Sequence, residues 1–279
     1  MTNIDIDTSS KVFVYHAATM ADAADGAVEH MTRSLSAHPL LVPSTLDQGD
    51  SLVGAVQRGF RARSVASSVV VPEHSIRLGT GVLSRQRPVW KGARLALPDK
   101  PYHEVLLPAR LLEADAVIFV TYVNAVARTG PFQLDLLSRY LRPRHRLRQL
   151  VDPDRAGLAA EVNLALQPGW CIVGCDVPPG IVAITRDRIA GELIALCLAE
   201  RFFDRRVEFA SPWEDRVVQR ATELELGART PGEIWIDIMG EAMDTREGDA
   251  VRAIVALVRE RIGIVSGEST GVADDSRPV

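Results

Sequence analysis

Lysine is almost missing from this chain: its 279 residues hold 29 arginines but only Lys11, Lys91 and Lys100 as lysines. Schiff-base chemistry and a Walker-type phosphate loop therefore have few places to arise, and anion recognition falls to guanidinium forks. A GC-rich coding sequence accounts for the bias as readily as function does. Cysteine is equally scarce, with Cys171, Cys175 and Cys197 giving no disulfide framework. The first two stand four apart with no further Cys or His at ligand spacing, and the four-cysteine ferredoxin pattern is missing. All three read as buried structural thiols, and no metal or cofactor is expected. There is no G-x-G-x-x-G, no G-x-x-x-x-G-K-[ST] and no G-x-S-x-G; Gly79-Thr80-Gly81 lacks the later glycine. No apolar run reaches the ~18–20 residues that span a bilayer. The acidic start, Met1 to Asp7, lacks the order of a signal peptide. A cytoplasmic protein without membrane contact is expected. A net charge of −4 argues against nucleic acid as partner.

What is present is an alternation of short apolar runs and amphipathic segments. Residues 116–120 are continuously apolar, flanked by Glu113 and Asp115 before and by Thr121, Asn124 and Arg128 after. That pattern predicts a central strand buried on both faces. Strands are also expected at 11–16, 40–43, 68–72, 170–175, 181–184, 206–210 and 233–239. Helices are expected at 20–37, 49–63, 132–141, 156–166, 187–200, 213–226 (closed by Gly227) and 247–262. The fold class is α/β, a mostly parallel sheet covered by helices. An irregular or β-containing insertion near 73–103 interrupts it, with short strands at about 82–84 and 94–97. Residues 1–265 read as one globular unit, with a possible division into two lobes near 145–155. The polar stretch 266–279 reads as a disordered tail.

In open α/β sheets ligands gather at the carboxyl ends of strands, and that rule selects the candidate residues. Ser44 follows the second strand. His74, Arg77 and Thr80 follow the third, in a loop that either builds a site or bonds to itself. Asn124, Arg128 and Thr129 follow the central strand, and Asp176 ends the strand that carries the cysteines. Asp187 and Glu192 open an apolar helix, where Asp187 reads as a cap. Arg139, Arg142, Arg144, His145, Arg146 and Arg148 crowd into ten residues. They form either a solvated helix end or a docking edge for an acidic partner.

The run Leu111 to Val120 resembles a strand of the bacterial domain-of-unknown-function family three-six-two, some of whose members carry a ferredoxin module. Asn163 to Val173, Thr185 to Glu192 and Glu223 to Gly227 are similar to later segments of that family, in the same order. The resemblance implies an α/β scaffold. Where the family carries Lys and His after its strand, this chain has Asn124 and Val126, and Val42-Pro43-Ser44 replaces its Lys-Pro-Asn. The family's redox role does not carry over with those replacements.

These readings converge on a small-molecule biosynthetic enzyme of secondary metabolism, or the main subunit of one. Its chemistry is expected to be a non-redox displacement, elimination or ring closure, of the lyase, cyclase or transferase type. The substrate is an anionic metabolite bearing sulfate, phosphate or carboxylate. Arg77 and Arg128 would bind the anion, Asn124, Thr80, Thr129 and Ser44 would orient it, and His74 or Asp176 would manage the proton. Two alternatives stand beside it. One is a non-catalytic subunit that docks a partner through 139–148, in a homo- or hetero-oligomer. The other is a metal- or iron–sulfur-dependent redox enzyme related to the family.

Overall fold

A computed structural model describes residues 10–35, 38–44, 52–70, 89–99, 103–124, 132–166, 168–175, 177, 180–203, 210–239 and 246–264. The first half of the chain gives β1 (Lys11–Ala17), α1 (Met20–Thr32), β2 (Leu40–Pro43), α2 (Leu52–Ala62) and β3 (Ser68–Val69). It continues with β4 (Trp90–Leu95), β5 (His103–Pro108), α3 (Ala109–Leu112) and β6 (Val117–Val123). The second half gives α4 (Pro143–Val151), α5 (Arg155–Glu161), β7 (Trp170–Cys175) and β8 (Gly180–Thr185). It ends with α6 (Arg188–Phe203), α7 (Arg216–Glu223), β9 (Trp235–Met239) and α8 (Arg246–Ile262).

Seven strands form one sheet in the order β3-β2-β6-β7-β8-β1-β9, and β4 with β5 makes a separate antiparallel ribbon. In the large sheet β8 runs against β7 and β1, and the other four pairings are parallel. The exception has a simple cause. Four residues separate β7 from β8, and a parallel crossover needs a dozen or more. The expected mostly parallel α/β architecture is therefore what the chain adopts.

The apolar run that marks β6 is continuous because the strand is covered twice. Val117, Phe119 and Val123 face a core shared with α5 and α6, whereas Ile118 and Val120 face α1 and α2. Helix α6 is buried almost all round, from Arg188 to Ala199. Its start is fixed by Asp187, whose Oδ1 accepts the Ala190 N–H at 2.8 Å. Asp187 Oδ2 also accepts the Ala228 N–H at 2.6 Å and the Ser10 hydroxyl at 3.3 Å. The expected cap is a three-way clamp that ties Ser10 and Ala228 to the start of α6.

Several boundaries differ from expectation. Residues 132–141 do not form an α-helix: turns lead into a 3₁₀ segment, Leu137–Tyr140, and Pro143 opens α4. The stretch 213–226 divides into a 3₁₀ turn, Pro212–Glu214, and α7. Gly227 does not cap it. The left-handed position is taken by Glu225 at φ 53°, with Leu226 N–H on Ala221 O at 3.0 Å and Glu225 N–H on Thr222 O at 3.1 Å. Gly227 is required for another reason, since a Cβ there would lie 2.2 Å from Asp187 Oδ1. In the expected insertion, the ribbon β4–β5 supplies β structure at 90–95 and 103–108; the short strand expected at 82–84 lies outside the described residues, as do residues 206–209 of the strand expected at 206–210.

Candidate functional site

The topology places a switch point between β2 and β6. From β2 the chain leaves through α2, on the core that holds α1, to reach β3. From the neighbouring β6 it leaves through α4 and α5, whose Ala159 and Ala160 belong to the opposite core, to reach β7. Adjacent parallel strands whose connections depart to opposite faces define a switch point, and ligands sit beyond the carboxyl ends of such strands.

Among the described residues, the floor at this switch point is built by the 3₁₀ segment and the strand ends. Ser44 extends the β2–β6 ladder past Pro43: its N–H donates to Val120 O at 2.8 Å and its Oγ accepts the Tyr122 N–H at 3.2 Å. The Ser44 carbonyl accepts from the Arg139 guanidinium. Tyr140 is buried, and its hydroxyl donates to Pro43 O at 2.9 Å with Val70 O 3.4 Å away, so one phenol ties the ends of β2 and β3. Burial raises the Tyr140 pKa, keeping the phenol protonated. Burial likewise raises Asp135, against the pull of Arg139, a Ser138 hydrogen bond, Arg155 and Arg146. Arg139 is half-buried, and its remaining N–H groups have no hydrogen-bond acceptor among the described residues. A guanidinium tethered by one carbonyl, with its other donors open, can receive an oxyanion.

The chain re-enters the fold at Phe132, and its anchor is Glu192. This fully buried carboxylate accepts three successive backbone N–H groups: Phe132 at 2.8 Å, Gln133, and Leu134 at 2.9 Å. Burial pushes its pKa up to about 7, the three amides pull it down, and Asp215 adds to the rise. Around it, Gln133 Nε2 donates to Ile172 O at 2.9 Å, and Asn163 Nδ2 donates to Leu134 O at 2.6 Å. Arg188 closes the other side by donating to Asn163 O and Leu166 O. Glu192 thus positions the segment that carries Asp135, Arg139 and Tyr140.

Of the residues expected at the site, Ser44 and Asn124 fall on the two strands that flank the switch point. Pro43 pairs with Val120, so Asn124 lies about three residues, roughly 10 Å, farther along than Ser44. Asn124 is half-buried and already engaged in an interaction. His74, Arg77, Thr80, Arg128, Thr129 and Asp176 lie outside the described residues. The cysteines are buried and form no disulfide, as expected, and burial pushes the Cys171 and Cys197 thiols up to about 12. Among the described residues, no three His, Cys, Asp or Glu side chains are grouped as a metal site would require, and no helix is long and apolar enough to cross a membrane.

Sequence reasoning missed Arg139, Tyr140, Asp135 and Glu192 as parts of this edge. The first three were hidden in a segment read as a helix with a basic end. Glu192 carried a usable signal: a carboxylate inside a helix that is apolar on every side must be buried, and a buried carboxylate needs donors. Compared with family models, with curated proteins and with solved structures, the chain matches none.

Proposed function

We propose that the protein binds a small anionic metabolite at the carboxyl edge between β2 and β6 and transforms it without a redox cofactor. The observation that carries this reading is Arg139, half-buried at the switch point beside Ser44, with its other donors meeting no acceptor among the described residues. In this reading Arg77 and Arg128 join Arg139 on the sulfate, phosphate or carboxylate, and that charge cluster stabilises a departing or developing oxyanion. Asn124, Thr80 and Thr129 orient the substrate. Ser44 assists through its hydroxyl hydrogen, which the bond accepted from the Tyr122 N–H leaves available to a substrate oxygen. His74 or Asp176 moves the proton. The resemblance of Leu111–Val120 and the later segments to family three-six-two supports the scaffold alone. A cytoplasmic, small-molecule biosynthetic role follows from the same reading.

Titration calorimetry with inorganic sulfate, inorganic phosphate and acetate as probes tests it, on the full chain and on Arg139→Met. At least one probe is expected to bind, and Arg139→Met is expected to weaken it by about tenfold, equivalent to about 1.4 kcal/mol. Equal affinity in the variant, with its melting temperature unchanged, overturns the assignment. So does failure of all three probes to bind the wild-type chain.

A further inference from the structure

We propose that the outward ridge of α4 is a docking surface for an acidic amphipathic helix of another protein. This inference stands apart from the ligand reading above. Leu147 and Val151 are 64% and 81% exposed. At 100° per residue, Arg144, Leu147 and Val151 share one ridge of about 60°. The opposite side of the helix is held in place. Gln149 is buried and donates to Ser138 Oγ at 2.8 Å, and His145 Nδ1 accepts the Leu106 N–H at 3.3 Å. The ridge is therefore set outward by internal bonds.

The charges along it are sorted. Arg139 turns inward to Ser44 O, and Arg146 contributes to the field on Asp135. Arg144 on the ridge and Arg142 at the N-cap just before the helix are exposed and make no ion pair among the described residues. At the foot of the helix Asp152 is engaged locally, its Oδ1 accepting the Asp154 N–H at 2.8 Å. A scattered exposed aliphatic residue needs no explanation. Two of them four residues apart on the outer face of a helix, beside guanidinium groups with no ion pair among the described residues, reproduce the apolar centre and charged rim of an interface. The i, i+4 spacing is that of anchors read by a second helix.

Charge selects the occupant. A second copy of this ridge would set arginine against arginine. A bilayer surface offers poor return to a nine-residue helix whose ridge has two aliphatic side chains and no aromatic ring. An acidic helix with apolar residues at matching spacing satisfies both features.

The test places a photo-crosslinking amino acid at Leu147, and as control at Arg33 on α1, in the full chain expressed in its own cells. The expected result is a crosslink from position 147 alone, to a segment rich in Asp and Glu. That segment, made as a peptide, should bind the protein in fluorescence anisotropy. Its affinity should fall at least tenfold in Arg142→Glu/Arg144→Glu and recover when its own acidic residues are changed to Lys. These arginines are exposed, so circular dichroism of the double variant should match the wild type. The proposal is overturned by no crosslink above control, by capture of lipid or of a second copy, or by a peptide indifferent to charge reversal.

Discussion

A carboxylate sealed away from water is held either by a cation or by amide dipoles, and Glu192 relies on three consecutive amides. Its folded pKa, about 7, lies above the unfolded value near 4.5. Between those values the folded chain binds more protons than the unfolded one, so this group lowers stability as pH rises from about 4.5 to about 7 and adds no slope above that. Asp135 and Asp187 are raised for the same reason and slope the same way in their own range. Urea unfolding at pH 5 and pH 8 is expected to show the wild type more stable at pH 5, Glu192 contributing on the order of 3 kcal/mol at most. Glu192→Gln should remove most of that difference, and an unchanged slope would assign it to other groups. The thiols make a second residue-scale prediction. With Cys171, Cys175 and Cys197 all buried and two of them pushed up to about 12, a thiol reagent at pH 8 should label the native chain only as fast as it opens.

Between elements the decisive contacts are close approaches and one buried ion pair. A Cβ on Gly180, the first residue of β8, would stand 2.2 Å from Met20 N at the start of α1. Backbone cannot yield there, so Gly180→Ala should cost about 3 kcal/mol and lower the melting temperature by about 10 °C. Gly232→Ala, whose nearest neighbour would be 4.0 Å away, should be close to neutral in the same melt. Arg220 on α7 meets Glu161 of α5 at 2.8 Å, with both side chains buried, and also reaches Asp99 and Glu223. Arg220→Met should destabilise by about 3 kcal/mol because it strands a buried charge. Adding Glu161→Met should recover much of the loss in denaturant unfolding. Elements of this kind were legible in the sequence to different degrees. Strand β6 and helix α6 were plain because burial on every side leaves an unbroken apolar run. The segment 132–141 was not, because its leucines and Phe132 have helical spacing while the Asn163 amide takes the Leu134 carbonyl that an α-helix would give to Ser138, whose N–H turns to Asp135 O at 3.1 Å instead. No local pattern records that competition. Gly227 misled for a similar reason: its neighbour in space is Asp187, and Glu225 accepts the left-handed turn instead.

For the molecule as a whole, the class and most element positions could be read from periodicity, since they depend on how each segment meets water. The rule for strand ends selects Ser44 and Asn124, which follow β2 and β6, the two strands that flank the switch point. The residues that complete it, Arg139 and Tyr140, come from a segment whose path is decided by contacts with β2 and β3. The strand order carries a further consequence, one that concerns time. β1 leaves the ribosome before every other described strand, yet it lies between β8 and β9, with Val12 opposite Thr185 and Ile236. Its partners emerge roughly 170 and 220 residues later, about ten to forty seconds at ordinary synthesis rates. Through that interval Val12 and Val14 have no sheet to join, while β2, β3, β6 and β7 can already assemble. β1 therefore waits unpaired until β8 and β9 are made, and its insertion is expected to follow the assembly of the strands between.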